Sequence, residues 1–428
     1  MKKKTLPRPS ARQVMLTEIR NLKMARSSNA YVRGNTLKFY EALNALPDQA
    51  IPEGPPIWIC GDCHVGNLGP LANARGRVEI QIRDLDQTVI GNPAHDLIRL
   101  GLSLATAARG SDLPGVTTAQ MLEQMIVGYE AAFDDETNAA DGDETERKSE
   151  SRNKGGEKAS KSAAKSVANP DNIKLVLKQA KQRTWVHLAN ERIEGMRPEI
   201  PLGKRFWPLS KEERGELTQL FEKASVASLA TSLRQRDAHA HVEILDAAYW
   251  VKGCSSLGGL RYAVLLDIGG GTSSGRDLCL MDIKEAVKAV APRYSSNAMP
   301  RDNAHRVVSG ARQLAPFLGE RMLAERLLDR SVFMRELLPQ DLKIELDALS
   351  HEEAMKSAYF LAQVVGRAHA RQMDAATRHS WQAELKRNRS KKLDAPSWLW
   401  NSMVELILIH ERGYLEHCRR YALDVAQR

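Results

Sequence analysis

The stretch Gly61-Asp62-Cys63-His64-Val65-Gly66-Asn67 sets a carboxylate and a side-chain amide five positions apart, with a histidine between them. That pair suits phosphoryl transfer, where a carboxylate orients the attacking hydroxyl and an amide helps hold a metal ion against the phosphate. Asp84 and Asp86, just past an alternating segment, can join Asn67 as oxygen ligands for Mg²⁺, which takes one or two carboxylates plus substrate phosphates. Asp62 or Asp84 alone would read as an ordinary turn residue. Their combination, order and spacing favour the chemical reading. Read from Cys60, however, the stretch Cys60-Gly61-Asp62-Cys63-His64 also fits the pattern of covalent haem attachment. The five cysteines form an odd, scattered set that suits free thiols in a reducing compartment, and Cys60 ends an apolar segment as a small buried hydrophobe would. A haem or redox protein rests on those five letters alone.

A second cluster lies far along the chain. Gly253, Gly258 and Gly259 precede an apolar strand, and Lys284 comes near the end of the next one. A glycine-rich turn lets backbone amides approach phosphates, and a lysine on an adjacent strand can pair with them. The plainer reading is a hairpin connection; Lys284 argues against it, because it continues an apolar strand. Asp96, after the Gly91-Asn92-Pro93 turn, begins a helix. It serves either as a helix-terminal carboxylate favoured by the dipole or as an anchor for the backbone of the 60–67 loop.

The elements that must position these groups follow from periodicity. Residues 12–46 read as helical, with Val14, Met15, Ile19, Leu22 and Met24 on one face. Residues 55–62 read as a short buried strand running into a loop. In 76–87, Val78, Ile80 and Ile82 alternate inward against Glu79, Gln81 and Arg83 outward. A long helix follows from about Pro93. Residues 134–171 hold almost no large apolar residues, so burial cannot offset their ordering, and they read as a disordered linker or insertion. Residues 172–250 read as mainly helical, and the segments around Arg261 and Leu278 as a β-hairpin. The segment around Phe333 is a further short strand ended by Pro339, and 351–376 and 397–425 are helical.

At 428 residues the chain exceeds what one core usually supports, so two lobes are expected. A hydrophobic content of 43% and a charged content of 27% are ordinary for a soluble globular protein, and no apolar run reaches membrane-spanning length. The basic start is followed by Pro7, Arg8, Pro9 and Arg12 where a signal peptide would be apolar, which gives the expectation of a cytoplasmic protein without a membrane partner. The net charge of +9 is spread along the chain without an arginine-rich arm or zinc-finger spacing, so no nucleic-acid partner is expected. Phosphorylated substrates would find such a surface congenial.

These motifs resemble the aminoglycoside-phosphotransferase branch of the protein-kinase-like superfamily, whose catalytic segment reads HGDxHxxN, followed by a strand, an Asp and a GDPxxDL turn. Here Cys60 stands for the leading His and Asn92 for the turn's Asp. The order differs, because in those enzymes the glycine-rich loop and lysine come first. A circular permutation restores it: a helix ending near "AHARQ" at 368–372 would lead into the catalytic loop supplied from the other end of the chain. Chain termini commonly lie close together, which makes such permutation tolerable. This arrangement is similar to the bacterial family catalogued as domain of unknown function 2252, whose motifs occur in the same order over most of the chain outside 134–171.

The resemblance implies an α+β, bilobal, circularly permuted kinase-like fold with a helix-rich large lobe and a small β-containing nucleotide lobe. The corresponding segments are 1–133, 134–171, 172–250, 251–340 and 341–428: N-terminal helices with the catalytic segment, linker, helical segment, nucleotide-binding lobe and C-terminal helices. It makes Asp62 the catalytic carboxylate, with His64 ordering its loop, and Asn67 and Asp84 metal ligands, with Asp86 assisting. Gly253, Ser256 and Gly258 become the phosphate cover, and Lys284 the partner of the α and β phosphates. Ser255 replaces the family's middle glycine, and Ser309 stands where the family has a glutamate; Glu285 and Glu320 are the candidate substitutes as partner of Lys284. The expected activity is phosphorylation of a hydroxyl on an unidentified acceptor with ATP and Mg²⁺. The competing class is a non-catalytic nucleotide-binding regulatory module, motivated by the two departures.

Overall fold

The computed structural model describes residues 6–47, 50–134, 170–183, 199–233, 236–254, 256–269, 278–294, 297–344, 349–387 and 395–421. It is a mixed α+β fold built around a six-stranded antiparallel sheet and a larger helical body. The expected linker at 134–171 and the substituted Ser255 fall almost entirely or wholly outside the described residues. Among the described residues, no helix is long and apolar enough to cross a membrane.

Three helices open the chain: α1 (Arg12–Met24), α2 (Ser28–Gly34) and α3 (Thr36–Asn44). Ser27 and Asn35 start the second and third by accepting the amides of Ala30 and Lys38 on their side chains. The α1 stripe differs from expectation. Leu16 and Met24 are buried, but Val14 is 76% exposed, because the helix uses Arg12 rather than Val14 to reach the interior. Strands β1 (Ile57–Ile59), β2 (Leu68–Ala72), β3 (Val78–Ile82) and β4 (Val89–Gly91) form two small ribbons, β1 with β4 and β2 with β3. In β3, Gln81 is buried rather than outward, since its carbonyl accepts the Phe317 amide and its amide bonds Glu79. Helix α4 (Ala94–Gly110) is buried on every side from Ala94 to Ala108, and α5 (Gly115–Ala131) packs beside it.

After α6 (Asp171–Gln182) come β5 (Phe206–Trp207), α7 (Lys211–Phe221), α8 (Ala224–Thr231) and then β6 (Val242–Trp250). The mainly helical reading of 172–250 thus fails over its last nine residues, where Val242–Trp250 is a strand. Strands β7 (Arg261–Ile268) and β8 (Leu278–Glu285) form the expected hairpin. Helix α9 (Asn303–Leu314) then leads to β9 (Met322–Leu327) and β10 (Arg330–Glu336), and the sheet order is β5-β6-β7-β8-β10-β9. Both faces of this sheet are covered, which is why β7 and β8 read as continuous apolar runs instead of alternating. Tyr262, Val264, Met281 and Ile283 face one core, while Ala263, Leu265, Leu278 and Leu280 face another. The two-residue period that puts Leu280 on that second face also puts Asp282 and Lys284 on it.

The chain ends in α10 (His351–Ala370), α11 (Ala375–Lys386) and α12 (Ser397–Tyr421). Residues from both ends share one core, in which Leu97, Leu122 and Ile126 pack with Leu361, Val365 and Leu399. Helices α5 and α10 approach at Gly128 and Gly366, where an added Cβ would meet the backbone of Tyr359 and of Tyr129.

Candidate phosphoryl-transfer site

The loop after β1 is held from below by one carboxylate. Asp96, fully buried in the first turn of α4, accepts the Cys60 amide at 2.7 Å and the Gly61 amide at 2.9 Å on its two oxygens. Both sequence readings are realised, since Asp96 stands in the first turn of its helix and holds the loop backbone. Its Oδ2 also bonds His369 Nε2 at 3.1 Å, and the line continues through His369 Nδ1 to the Tyr129 hydroxyl at 2.8 Å. Trp381 Nε1 donates to that hydroxyl at 3.1 Å, so three helices converge on the loop's anchor. Gly61 takes φ +74°, and a side chain there would run into the Gln87 carbonyl, so glycine is required on both counts. At the other end of the chain, the Gln372 side chain accepts the Trp58 amide at 2.9 Å and donates to the Trp58 carbonyl at 3.0 Å.

This anchoring fixes Asp62. Its Oδ1 accepts Arg99 Nε at 2.8 Å, and Arg99 in turn donates from Nη2 to the Val32 carbonyl at 2.7 Å. Nothing in the sequence pattern singles out Arg99, which is reached only because α4 lies under the loop. Asn67 donates from Nδ2 to the Asp62 carbonyl at 2.9 Å, leaving its own oxygen for another partner. His64 Nε2 lies 3.9 Å from Asp62 Oδ2, and burial pushes the His64 pKa down to about 3. Burial thus favours the neutral imidazole over the imidazolium at pH 7. Because the depressed group binds fewer protons folded than unfolded, its contribution to stability is complete above the unfolded value of 6.5 and is lost as pH falls toward about 3. Urea unfolding at a series of pH values should therefore show the wild type losing stability faster than His64→Gln across that window, by about 1.4 kcal/mol per pH unit. Equal slopes in the two proteins would mean that His64 is charged in the folded state.

Asp84 and Asp86 meet Lys284 of strand β8. Lys284 Nζ bonds Asp86 Oδ2 directly and lies 3.5 Å from Asp84 Oδ1. Asp84 is 47% exposed, but into a cleft; although desolvation works to raise its pKa, the Lys284 ammonium holds it well below the usual carboxylate range. Burial and then the Asp84 charge push Asp86 up to about 6. Neither Glu285 nor Glu320 serves as the lysine's partner. Glu285 accepts the Leu260 amide and pairs with Arg330, while Glu320 accepts the Ala74 amide. Helix α9, which carries Ser309, instead grips the acidic loop. Arg306 donates to the carbonyls of Thr88, Asp86 (3.0 Å) and Val287 (2.8 Å), and Gly310 leaves room for Thr88.

The glycine-rich turn between β6 and β7 lies opposite. Gly253 and Gly258 take φ +95° and +116°, and the Tyr249 hydroxyl donates to the Gly259 carbonyl at 2.7 Å. A cavity of about 580 Å³ opens between the turn and the loop, lined by Asp62, His64, Asn67, Asp84, Gly253 and Ser256, among others. Asp86 and Lys284 lie behind Asp84 rather than on that wall, and Gly258 turns away toward Gln13. The sheet face above is charged, with Arg261 bound to Asp282 by two bonds at 2.9 and 2.6 Å.

Cys60 and Cys63 are fully buried beneath the loop, and Cys60 Sγ points to the Asp84 carbonyl at 3.5 Å. With Asp96 they form a buried group of potential metal donors. Asp96 is already engaged by two amides, and burial works to raise both thiols, with hydrogen bonding to Cys63 the leading cause for Cys60. A family model described as an uncharacterised protein conserved in bacteria, DUF2252, matches residues 12–420. No curated protein and no solved structure matches the chain.

Proposed function

We propose that this chain, which belongs to the DUF2252 family, is a Mg-ATP-dependent phosphotransferase of permuted kinase-like architecture acting on an acceptor hydroxyl. The observation that carries the reading is the convergence of Asp62, Asn67 and Asp84 with the glycine-rich turn on one cavity, with Lys284 joined to the acidic pair behind them. These are the parts phosphoryl transfer needs: an aspartate for the acceptor, oxygen ligands for metal, a lysine on the second strand after the turn, and a helix following it. The permutation is supported by Gln372, whose two bonds to Trp58 put the end of α10 beside the strand that feeds the loop.

The acidic pair suits a hard cation on its own geometry. Asp86 Oδ1 is buried without a hydrogen-bond partner, and Asp84, kept ionised by Lys284, faces the cavity. Asp84, Asp86 and the Asn67 oxygen would hold Mg²⁺, which when bound neutralises charge on the nucleotide phosphates. Asp62 Oδ1 is taken by Arg99, so Oδ2 is the oxygen that accepts the acceptor's hydroxyl proton. Lys284 orients the phosphates, and the glycine turn presents its amides to them.

A second reading, a regulatory nucleotide-binding module, is favoured by the direct bond between Lys284 and Asp86, which occupies the lysine in the free protein. Both readings require nucleotide binding. Thermal unfolding with and without Mg-ATP tests it, since a ligand of the folded state raises the midpoint by mass action. Lys284→Ala should weaken the shift, and Asp84→Ala should remove its Mg²⁺ dependence. Equal shifts in all three proteins would put the nucleotide elsewhere.

A further inference from the structure

The N-terminal helix pair closes the side of the cavity where an acceptor would approach Asp62. Lys23 Nζ donates to the Gly253 carbonyl at 3.0 Å, tying α1 to the glycine-rich turn. Gly34 is wedged between Met24 and the Cys254 sulfur, and the Arg33 guanidinium lies against Gly66 in the catalytic loop. The segment from 23 to 34 therefore bridges the two loops that flank the transferring phosphate. A protein acceptor presents an extended segment along an open groove or sheet edge, and here that approach is filled.

The bridge also sets the cavity's charge. Lys23, Arg26 and Arg33 line it together with Arg205, Arg335 and Lys343, whereas its lining carboxylates among the described residues are Asp62 and Asp84. Arg261 on the same wall is neutralised by Asp282, but Lys23, Arg26 and Arg33 have no carboxylate within ion-pairing distance among the described residues. Arg33 Nε is buried with no partner at all, and His64, 4% exposed on the same wall, has an unpartnered Nδ1. Desolvation is the leading cause of a lowered Lys23 pKa, opposed by Cys254 and reinforced by Arg26 and Arg261. In the proposed arrangement Lys284, the turn and the metal ligands meet the nucleotide's phosphates, which leaves this second set of cations for the acceptor.

We infer that the acceptor is a small, multiply anionic hydroxyl compound, a phosphate ester, held at its anionic end by Lys23, Arg26 and Arg33. This rests on the phosphotransferase reading. The acceptor oxygen bonds the γ-phosphorus as the bridging β–γ bond breaks, ADP leaves with that electron pair, and the hydroxyl proton passes to Asp62. Cationic walls of low dielectric concentrate and orient such a substrate.

The test uses the full chain saturated with the Mg²⁺ complex of a non-hydrolysable ATP analogue. Titration calorimetry compares ribose 5-phosphate with ribose, and myo-inositol 1,4,5-trisphosphate, which keeps three free hydroxyls, with myo-inositol. The phosphorylated member of each pair should bind at least about tenfold more tightly. Arg26→Glu, at an exposed position that does not threaten folding, and Lys23→Gln should each erase most of that preference, while the analogue's own affinity in Arg26→Glu stays within about twofold. Equal binding of phosphorylated and neutral members, or a preference that survives both substitutions, overturns the inference. A chain that does not bind the analogue overturns the phosphotransferase reading itself, and the two failures are seen in separate titrations.

Discussion

Asp62→Asn is expected to lower transfer of the γ-phosphate by roughly 10²–10⁴-fold, the contribution of a positioned acid or base, with Mg-ATP binding retained. The substitution keeps the shape of the side chain and leaves an oxygen that can still accept Arg99 Nε, so the contact at 2.8 Å survives. What disappears is the carboxylate oxygen proposed to take the proton. Alanine would be a poorer probe, because it strands the fully buried Arg99 without its counter-charge. The assay follows labelled phosphate from ATP to the protein and to fractionated bacterial metabolites, and the thermal shift by Mg-ATP supplies the binding control. Turnover unchanged in Asp62→Asn rejects the assigned role. Tight Mg-ATP binding with no labelled product, in wild type across a broad acceptor panel, favours the regulatory module.

Asp96→Ala is expected to cost about 3–5 kcal/mol of folding stability, as when one partner of a buried charged network is removed. The carboxylate satisfies two loop amides and His369 in a place without access to water, so three groups lose their partner at once. Asp96→Asn should be milder, since one oxygen can still receive an amide. Urea unfolding gives the measurement, read from the midpoint at constant slope. A loss below about 1 kcal/mol, the scale of a single ordinary hydrogen bond, would show that the loop is held by other contacts.

The candidate site was legible where local pattern and chemistry coincide. Asp62, Asn67 and Asp84 announce themselves by spacing within thirty residues of one another, and Lys284 by standing charged in an apolar strand. Arg99, Arg306 and His369 carry no such mark. They act through contacts 37, 220 and 273 positions away in sequence, with Asp62, the Asp86 backbone and Asp96, which only the assembled helices create. The sequence points to Glu285 or Glu320 as the acidic partner of Lys284, whereas Asp86 takes that place because the acidic loop itself reaches the strand. In the fold, the β7–β8 hairpin is declared by its two apolar runs around a turn. Strand β6 was hidden, since its first residues through Asp246 lie only partly buried while its second half is fully enclosed, so no single period runs through it. Strand β9 likewise mixes charged and apolar residues, as an edge strand can when one side meets solvent.

The proposed Mg-ATP site is assembled from segments more than two hundred residues apart in sequence. Amide hydrogen exchange with and without a non-hydrolysable ATP analogue addresses it directly, because ligand contact slows local opening. Binding should protect 60–68 and 84–88 together with 251–262 and 280–286, and withholding Mg²⁺ should abolish the protection of the first two segments before that of the others. Protection confined to one end of the chain, or none in either, would contradict the account.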